Sequence, residues 1–528
     1  MSKDLPDAPA DDDGRALFVS RYLVPGTVAT ALITFASLGV GWIPLSSALL
    51  DIGVVDTLRT NPIGIAMMRV LLIAGGALLL QTWLVLGADL LSGDKQPVRR
   101  MWVLLASWCA PLVVAAPLFS RDVFSYFAQG KLVAAGIDPY TNGVSAVPGW
   151  FNDGVDPMWA EAPTPYGPFF LMIERGVSSL LPNSPFLGAI ALRLVAIAGI
   201  ALLAWFVPRL AFLHGIDGSK ALWLGVLNPL ILMHLVAGAH NDALMVGLMV
   251  AGIALAAEGR AIPGVMLVAL AGAVKPIALL ALPFVGLLWA GSRSGWARRI
   301  GAWAATALLS LGTIVALGAM IGVGLGWVNA LTTPGTVRTW LSPSTAVGML
   351  SGYASELVGL GDHMDLTVTV VRLVAMAVAV VIVARLCLKP AGRSPVRAAA
   401  LAFTAVVLLG PVIQSWYLLW ALPLVAVTGL RTPWHLRAII VGTSGFVIFG
   451  LAESSATASS FLQLQDGLAM LFAAGAIAFV ALASPHEREL VLGSQYAHGL
   501  TPDDDPARAR SRLLVFVGSG RSSAPPAA

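Results

Sequence analysis

Asp122 follows Arg121 directly at the end of an apolar stretch and opens the segment RDVFSYFAQGKLVAAG, with Ser120 placed to cap it. A carboxylate at such a point lies beside lipid yet within reach of water, where it can serve as a general base on a sugar hydroxyl. The same placement also suits a plainer purpose, complementing the helix dipole and pairing with Arg121. Three further ionisable groups, Arg193, His240 and Lys275, stand in apolar surroundings near the ends of hydrophobic runs. Charge there is costly, which makes each a functional candidate. Snorkelling to the interface is the alternative for Arg193, and a buried ion pair with Asp242 is the alternative for Lys275. His240, Asn241 and Asp242 are consecutive, and a helix cap at Asn241 would use only one of the three.

Aromatic residues accompany these groups. Tyr126, Tyr140, Tyr166, Trp416 and Tyr417 offer flat apolar faces with a polar handle, suited to a sugar or a prenyl chain and equally to ordinary anchoring at a membrane interface. Asp138 precedes Pro139 and reads either as a second carboxylate of the site or as a turn former. Gln414, beside Trp416, can bind a hydroxyl or satisfy a freed carbonyl.

The elements that must position these residues are membrane helices. Hydrophobic residues make up 57% of the 528 and charged residues 11%, a balance that cannot clothe a water-soluble surface. The net charge of +4 is carried in short basic clusters between apolar runs, which points to membrane topology and away from nucleic acid. Runs of roughly 17 to 25 apolar residues predict about thirteen or fourteen spans, the last near 464–483. The fold class expected is therefore an all-α, polytopic bundle. The first apolar run is long and preceded by an acidic segment, so it is read as an anchor and not as a cleaved leader. Cys109 and Cys387 fall inside apolar runs without metal or redox spacing.

Basic clusters at Lys95, Arg99 and Arg100, at Arg293, Arg298 and Arg299, at Lys389, Arg393 and Arg397, and at Arg431 and Arg437 orient the bundle, their loops facing the cytoplasm. To keep them on one side, residues 262–291 must cross and return, breaking near Lys275 and Pro276. The expected organisation is a cytoplasmic tail at 1–22, a transmembrane domain at 23–484 and a polar, disordered cytoplasmic tail at 485–528. Residues 120–185 then form the first outer loop. Its amphipathic helix from Asp122 should lie along the interface, with Ser125, Tyr126 and Gln129 on the polar side. A second short helix follows Pro168, and the chain between the two folds back as a roof.

The segments RDVFSYFAQGKL (121–132), GIDPYTNG (136–143), PTPYGPFF (163–170), LNPLIL (227–232), GAHNDALM (238–245), AGAVKP (271–276) and QSWYLLW (414–420) occur in order along the chain. Together they resemble the polyprenyl-phosphate-mannose-dependent α-1,6-mannosyltransferases of actinobacteria, the MptA/MptB type of the GT-C superfamily, over roughly residues 60–480. The resemblance implies a multi-pass cell-membrane enzyme with its site on the extracytoplasmic face. It implies transfer of mannose from decaprenyl-phosphate-mannose to the mannan of lipomannan and lipoarabinomannan, with inversion and with Asp122 as base. Arg193, His240 and Lys275 would then meet the donor phosphate. Arg121, Tyr126, Asp138, Tyr140, Tyr166, Asn241, Asp242, Gln414, Trp416 and Tyr417 would line the substrate. No cofactor and no metal are implied.

Two other classes share part of this pattern. A lipid flippase or transporter would also have many spans and broken helices, but with binding groups near the bilayer midplane. A scaffold for other envelope enzymes would not require Asp122, His240 and Lys275 together. Within the superfamily, an arabinosyltransferase or a protein O-mannosyltransferase is the nearest competitor.

Overall fold

A computed structural model describes residues 12–291, 294–330, 338–389, 392–455 and the single positions 475 and 500. The expected span at 464–483, most of the C-terminal tail, the first eleven residues and Arg293 lie outside the described residues. The protein is an all-α, polytopic membrane protein. Among the described residues six helices are long and apolar enough to cross a bilayer: α1 (Gly14–Val40), α2 (Pro62–Ser92), then Pro185–Leu213, Trp296–Ile321, Met364–Leu388 and a last one beginning at Pro433. Shorter apolar helices at Ala261–Val274, Pro276–Ala290, Pro395–Leu409 and Ser415–Thr428 accompany them.

Several expected spans are shorter helices ended by proline, glycine or a polar residue. The stretch at 102–119 is helical only as α3 (Val98–Leu112), which carries Pro111 in its last turn. The break near Lys275 is as expected, with Val274 ending one helix and Pro276 opening a 3-10 turn over Pro276–Ala281. The π-helical segment Ile231–Ala237 and the helix beginning at Asp242 are bent by 113° across a short break. Such breaks free backbone groups inside the bundle, where neighbouring side chains must bind them.

The first loop contains α4 (Asp122–Ala134) and α5 (Pro168–Leu180). Contrary to a helix lying open along the interface, α4 is buried on all sides from Val123 to Gly130. Residues 136–167 and α5 cover it. Gly130 lets the two helices meet, since a Cβ there would stand 2.2 Å from the Glu174 carbonyl oxygen. The roof expected over the bundle is present.

Next come α6 (Pro185–Leu213), α7 (Gly218–Gly225), the π-helical segment and α8 (Asp242–Ala257). Every residue of α8 through Ala256 is buried, which makes it the axis of the bundle. Its neighbours approach through glycines. A Cβ on Gly247 would meet the Gly199 carbonyl of α6 at 2.2 Å, and one on Gly252 would meet the Gly264 carbonyl of α9 (Ala261–Val274) at 2.6 Å. Close approach of this kind supplies packing where no hydrophobic effect operates between helices. A second device joins α2 to α7. The Trp83 indole donates to the Trp223 carbonyl at 2.9 Å, and the Trp223 indole donates to the Trp83 carbonyl at 2.8 Å, their rings stacked 5.2 Å apart.

The remaining helices are α10 (Leu282–Ala290), α11 (Trp296–Ile321), α12 (Pro343–Leu357), α13 (Met364–Leu388), α14 (Pro395–Leu409), α15 (Leu418–Thr428) and α16 (Pro433–Ser455). The expected second outer loop thus contains a helix, α12, which packs on α13 through Gly348 and Gly352.

Candidate active site

Phe119 and Ala239 are the two non-glycine residues with left-handed backbone among the described residues, at φ 66° and 54°. Each costs on the order of 1 kcal/mol, and such strain gathers at functional sites. Phe119 lies just before the Ser120, Arg121, Asp122 turn, and Ala239 just before His240. Their two chain reversals bring Asp122 and His240 face to face.

The Asp122 backbone N–H donates to Ser120 Oγ at 3.1 Å, but the N-cap of α4 is Arg121, so Ser120 sits one residue outside the cap position expected for it. The carboxylate does not pair with Arg121. Its Oδ1 accepts the Trp159 indole N–H at 3.0 Å, and Oδ2 stands 3.7 Å from His240 Nδ1. Tyr126 Oη lies 3.4 Å from the same nitrogen. Burial pushes the Asp122 carboxyl up to about 6, while the Trp159 hydrogen bond and the Lys275 charge pull it down. A carboxylate tuned toward neutrality is suited to taking a proton near physiological pH.

His240 stacks on Trp416, centroids 3.8 Å apart. Behind Trp416, at 5.6 Å, is His234, presented by the π-helical segment and fully buried. Neither ring nitrogen of His234 finds a partner, nor does His240 Nε2. Asn241 is buried, makes no cap bond, and both atoms of its amide are unpartnered. The capping alternative for Asn241 therefore fails.

Lys275, at the break after α9, forms a second focus. Its ammonium donates to both Asp242 oxygens at 2.9 Å, and the Trp420 indole donates to Asp242 Oδ1 at 2.6 Å. Around the same Nζ stand the rings of Tyr417 and Trp420 at 5.3 Å and of Tyr166 at 5.9 Å. Tyr166 in turn packs edge-on against Tyr126, 5.2 Å away, tying the two foci into one enclosure. The ion pair expected between Lys275 and Asp242 is present, and it sits inside the site.

Other expected residues lie elsewhere. Arg193 is fully buried and donates to the carbonyls of Val236, Val113 and Ala237 at 2.8, 2.7 and 3.0 Å. It binds backbone freed where the π-helical segment and α3 end, which removes the expected phosphate role and also the snorkelling alternative. Arg121 donates to the Gly154 and Val155 carbonyls and lies 4.5 Å over the Trp42 ring, so it fastens the roof. Asp138 is exposed and accepts the Tyr140 backbone N–H at 2.9 Å, the turn-forming alternative. Tyr140 packs in a separate apolar cluster with Val133, Leu171 and Trp327. Gln414 begins the turn Ser415–Tyr417, and its carbonyl accepts the Tyr417 N–H at 2.9 Å. Three residues of the site were missed: Trp159, Trp420 and His234. Trp420 lies within the quoted segment QSWYLLW, one helical turn from Trp416, whereas nothing in the sequence ties Trp159 to Asp122.

Residues 23–291 match the family described as alpha-(1->6)-mannopyranosyltransferase, N-terminal domain, and residues 344–484 match the MptB C-terminal domain. The chain belongs to the MptA/MptB family. It is 36% identical to alpha-(1->6)-mannopyranosyltransferase A of Mycobacterium tuberculosis, across 80% of this chain and 83% of that one. A probable alpha-(1->6)-mannopyranosyltransferase of Mycolicibacterium smegmatis is 32% identical across 94% of each. Alpha-(1->6)-mannopyranosyltransferase B of Corynebacterium glutamicum is 30% identical, across 84% of this chain and 77% of that one. The family match to 23–291 spans both foci of the site except the Gln414 to Trp420 segment, which falls in the second matched region.

Proposed function

We propose that the protein transfers mannose from a polyprenyl-phosphate-mannose donor to an α-1,6-mannan acceptor at the extracytoplasmic face of the cell membrane. The observation that carries this reading is the presence of a carboxylate, Asp122, and a partly buried cation, Lys275, in one aromatic-walled enclosure. The acceptor hydroxyl gives its proton to Asp122 as its oxygen attacks the anomeric carbon. The bond from that carbon to the phosphate oxygen breaks on the opposite side, so a β-linked donor yields an α-linked product. One base suffices, because the phosphate leaves as an anion.

Lys275 and His240 are the groups that meet the phosphate. Two ammonium N–H bonds go to Asp242, and the third is available to an anion. His240 Nδ1 lies 3.4 Å from the Tyr126 phenol, and in the tautomer that accepts there the ring proton is on Nε2, which can donate to the phosphate. Tyr166, Trp416 and Tyr417 supply faces for the sugar and the first prenyl unit, and Asn241 supplies an amide for a hydroxyl.

The test supplies purified protein in nanodiscs with radiolabelled mannosyl-phospho-decaprenol and a short α-1,6-mannoside. A longer oligosaccharide, formed by wild type and lost in Asp122→Asn with donor binding kept, is the expected result. Movement of the lipid between leaflets without any transfer would replace the enzyme reading with a flippase.

A further inference from the structure

At the end of the bundle opposite Asp122, α13 carries a cavity of about 480 Å³. The placement follows from contacts at both ends of the helix. Near its start, Arg372 donates to Thr345, which binds the Pro411 carbonyl just before the Gln414 turn of the site. Past its other end, Ser394 lies 3.2 Å from His214, at the end of α6 remote from Arg193. Roughly 30 Å of helix separates Asp365 from Arg385, about one hydrocarbon thickness.

Arg385, Lys389 and Arg393 line the cavity with Val381, Ala384 and Leu388, and among the described residues no acidic one does. Nor is one near in sequence: between Asp365 and Glu453 the chain has seven Lys or Arg and no Asp or Glu. The positive-inside rule accounts for basic residues at this end, yet not for a cavity that gathers three of them against apolar walls. Above the cavity, Val374, Val378 and Val381 form an exposed apolar track, and only 11% of the apolar window of α13 is buried. A ligand that matches both parts has an anionic head and hydrocarbon tails. We infer that this cavity binds the phosphodiester headgroup of an anionic glycerophospholipid, its acyl chains lying along α13. Phosphate satisfies the clustered guanidinium and ammonium groups, and the tails cover the valine track.

Native mass spectrometry of the full chain in detergent, with dioleoyl phosphatidylglycerol, tests this against dioleoyl phosphatidylcholine and decaprenyl phosphate. Wild type should retain phosphatidylglycerol in preference to the zwitterionic lipid. The variant R385Q/K389Q/R393Q should weaken that binding by about fivefold for each charge removed, while R385K/R393K keeps most of it. Unchanged melting of the lipid-free glutamine variant would show that folding is not what was lost. Equal retention by wild type and the glutamine variant, or of the two phospholipids by wild type, overturns the inference. Preference for decaprenyl phosphate through the same three residues overturns it too, and makes the cavity a site for the carrier lipid. So does binding that appears only once residues 501–528 are deleted, because the acidic run Asp503, Asp504 and Asp505 would then be its occupant.

Discussion

Trp159 reaches Asp122 from 37 residues further along the chain, its indole N–H 3.0 Å from Oδ1. The bond favours the ionised carboxylate, against the burial that opposes it. Trp159→Phe keeps the ring and removes the donor. Its expected signature is a pH profile of kcat/KM displaced to higher pH, with the rate at pH 7 reduced about three- to tenfold. A purely structural role would lower the rate at every pH without moving the profile.

The wild-type profile follows from the same carboxyl. As a base, Asp122 works only when ionised, so kcat/KM should rise with pH through about 6 and level off above it. A flat profile from pH 5 to 8 would remove Asp122 from the rate-determining proton transfer.

Asp122→Asn should separate stability from activity. The ordinary value of 3.8 is raised to about 6 in the fold, so the protonated form is favoured and ionisation costs stability as pH rises through this window. With 17% of the side chain exposed, the neutral amide should recover on the order of 1–2 kcal/mol at pH 7. The rate should fall by about 10² to 10⁴. Thermal melts in detergent and the transfer assay measure the two halves, and a melting point well below wild type would contradict the first.

Asp242 is fully buried and paired with the partly buried Lys275, so removing Lys275 leaves a buried carboxylate uncompensated. Lys275→Met alone should destabilise by about 3–5 kcal/mol, and Lys275→Met with Asp242→Leu should recover much of that loss. Neither should transfer mannose. A double variant as active as wild type would confine the pair to holding helices together.

Arg193→Gln abandons three carbonyls inside the bundle. The expected loss is about 2–4 kcal/mol in a denaturation series, with the donor KM of the surviving folded fraction unchanged. A raised donor KM at unchanged stability would return Arg193 to the phosphate.

How far the sequence could be read depended on how local each signal was. The break at Lys275 and Pro276, the α4 and α5 helices and the pairing of Lys275 with Asp242 each rest on a nearby proline, cap or lone charge. Apolar runs such as 102–119 do not reveal where a helix stops inside protein, and α3 ends at Leu112. Arg193 was assigned to phosphate because its carbonyl partners come from α3 and the π-helical segment, distant in sequence and silent in composition. Trp159 and His234 were missed for the same reason. Their importance comes from where a loop and an unusual helix place them, and not from their immediate neighbours.

The reciprocal Trp83 and Trp223 bonds bear on how the proposed lipid-linked donor would reach the site. Parting α2 from α7 would strand two indole donors in hydrocarbon, which offers them no substitute acceptor. That seam is a hinge post and cannot be the doorway. Passage for a membrane-borne substrate is better sought on the flank of α11 and α13, whose apolar windows are only 22% and 11% buried, so that a displaced neighbour there disturbs few packed side chains.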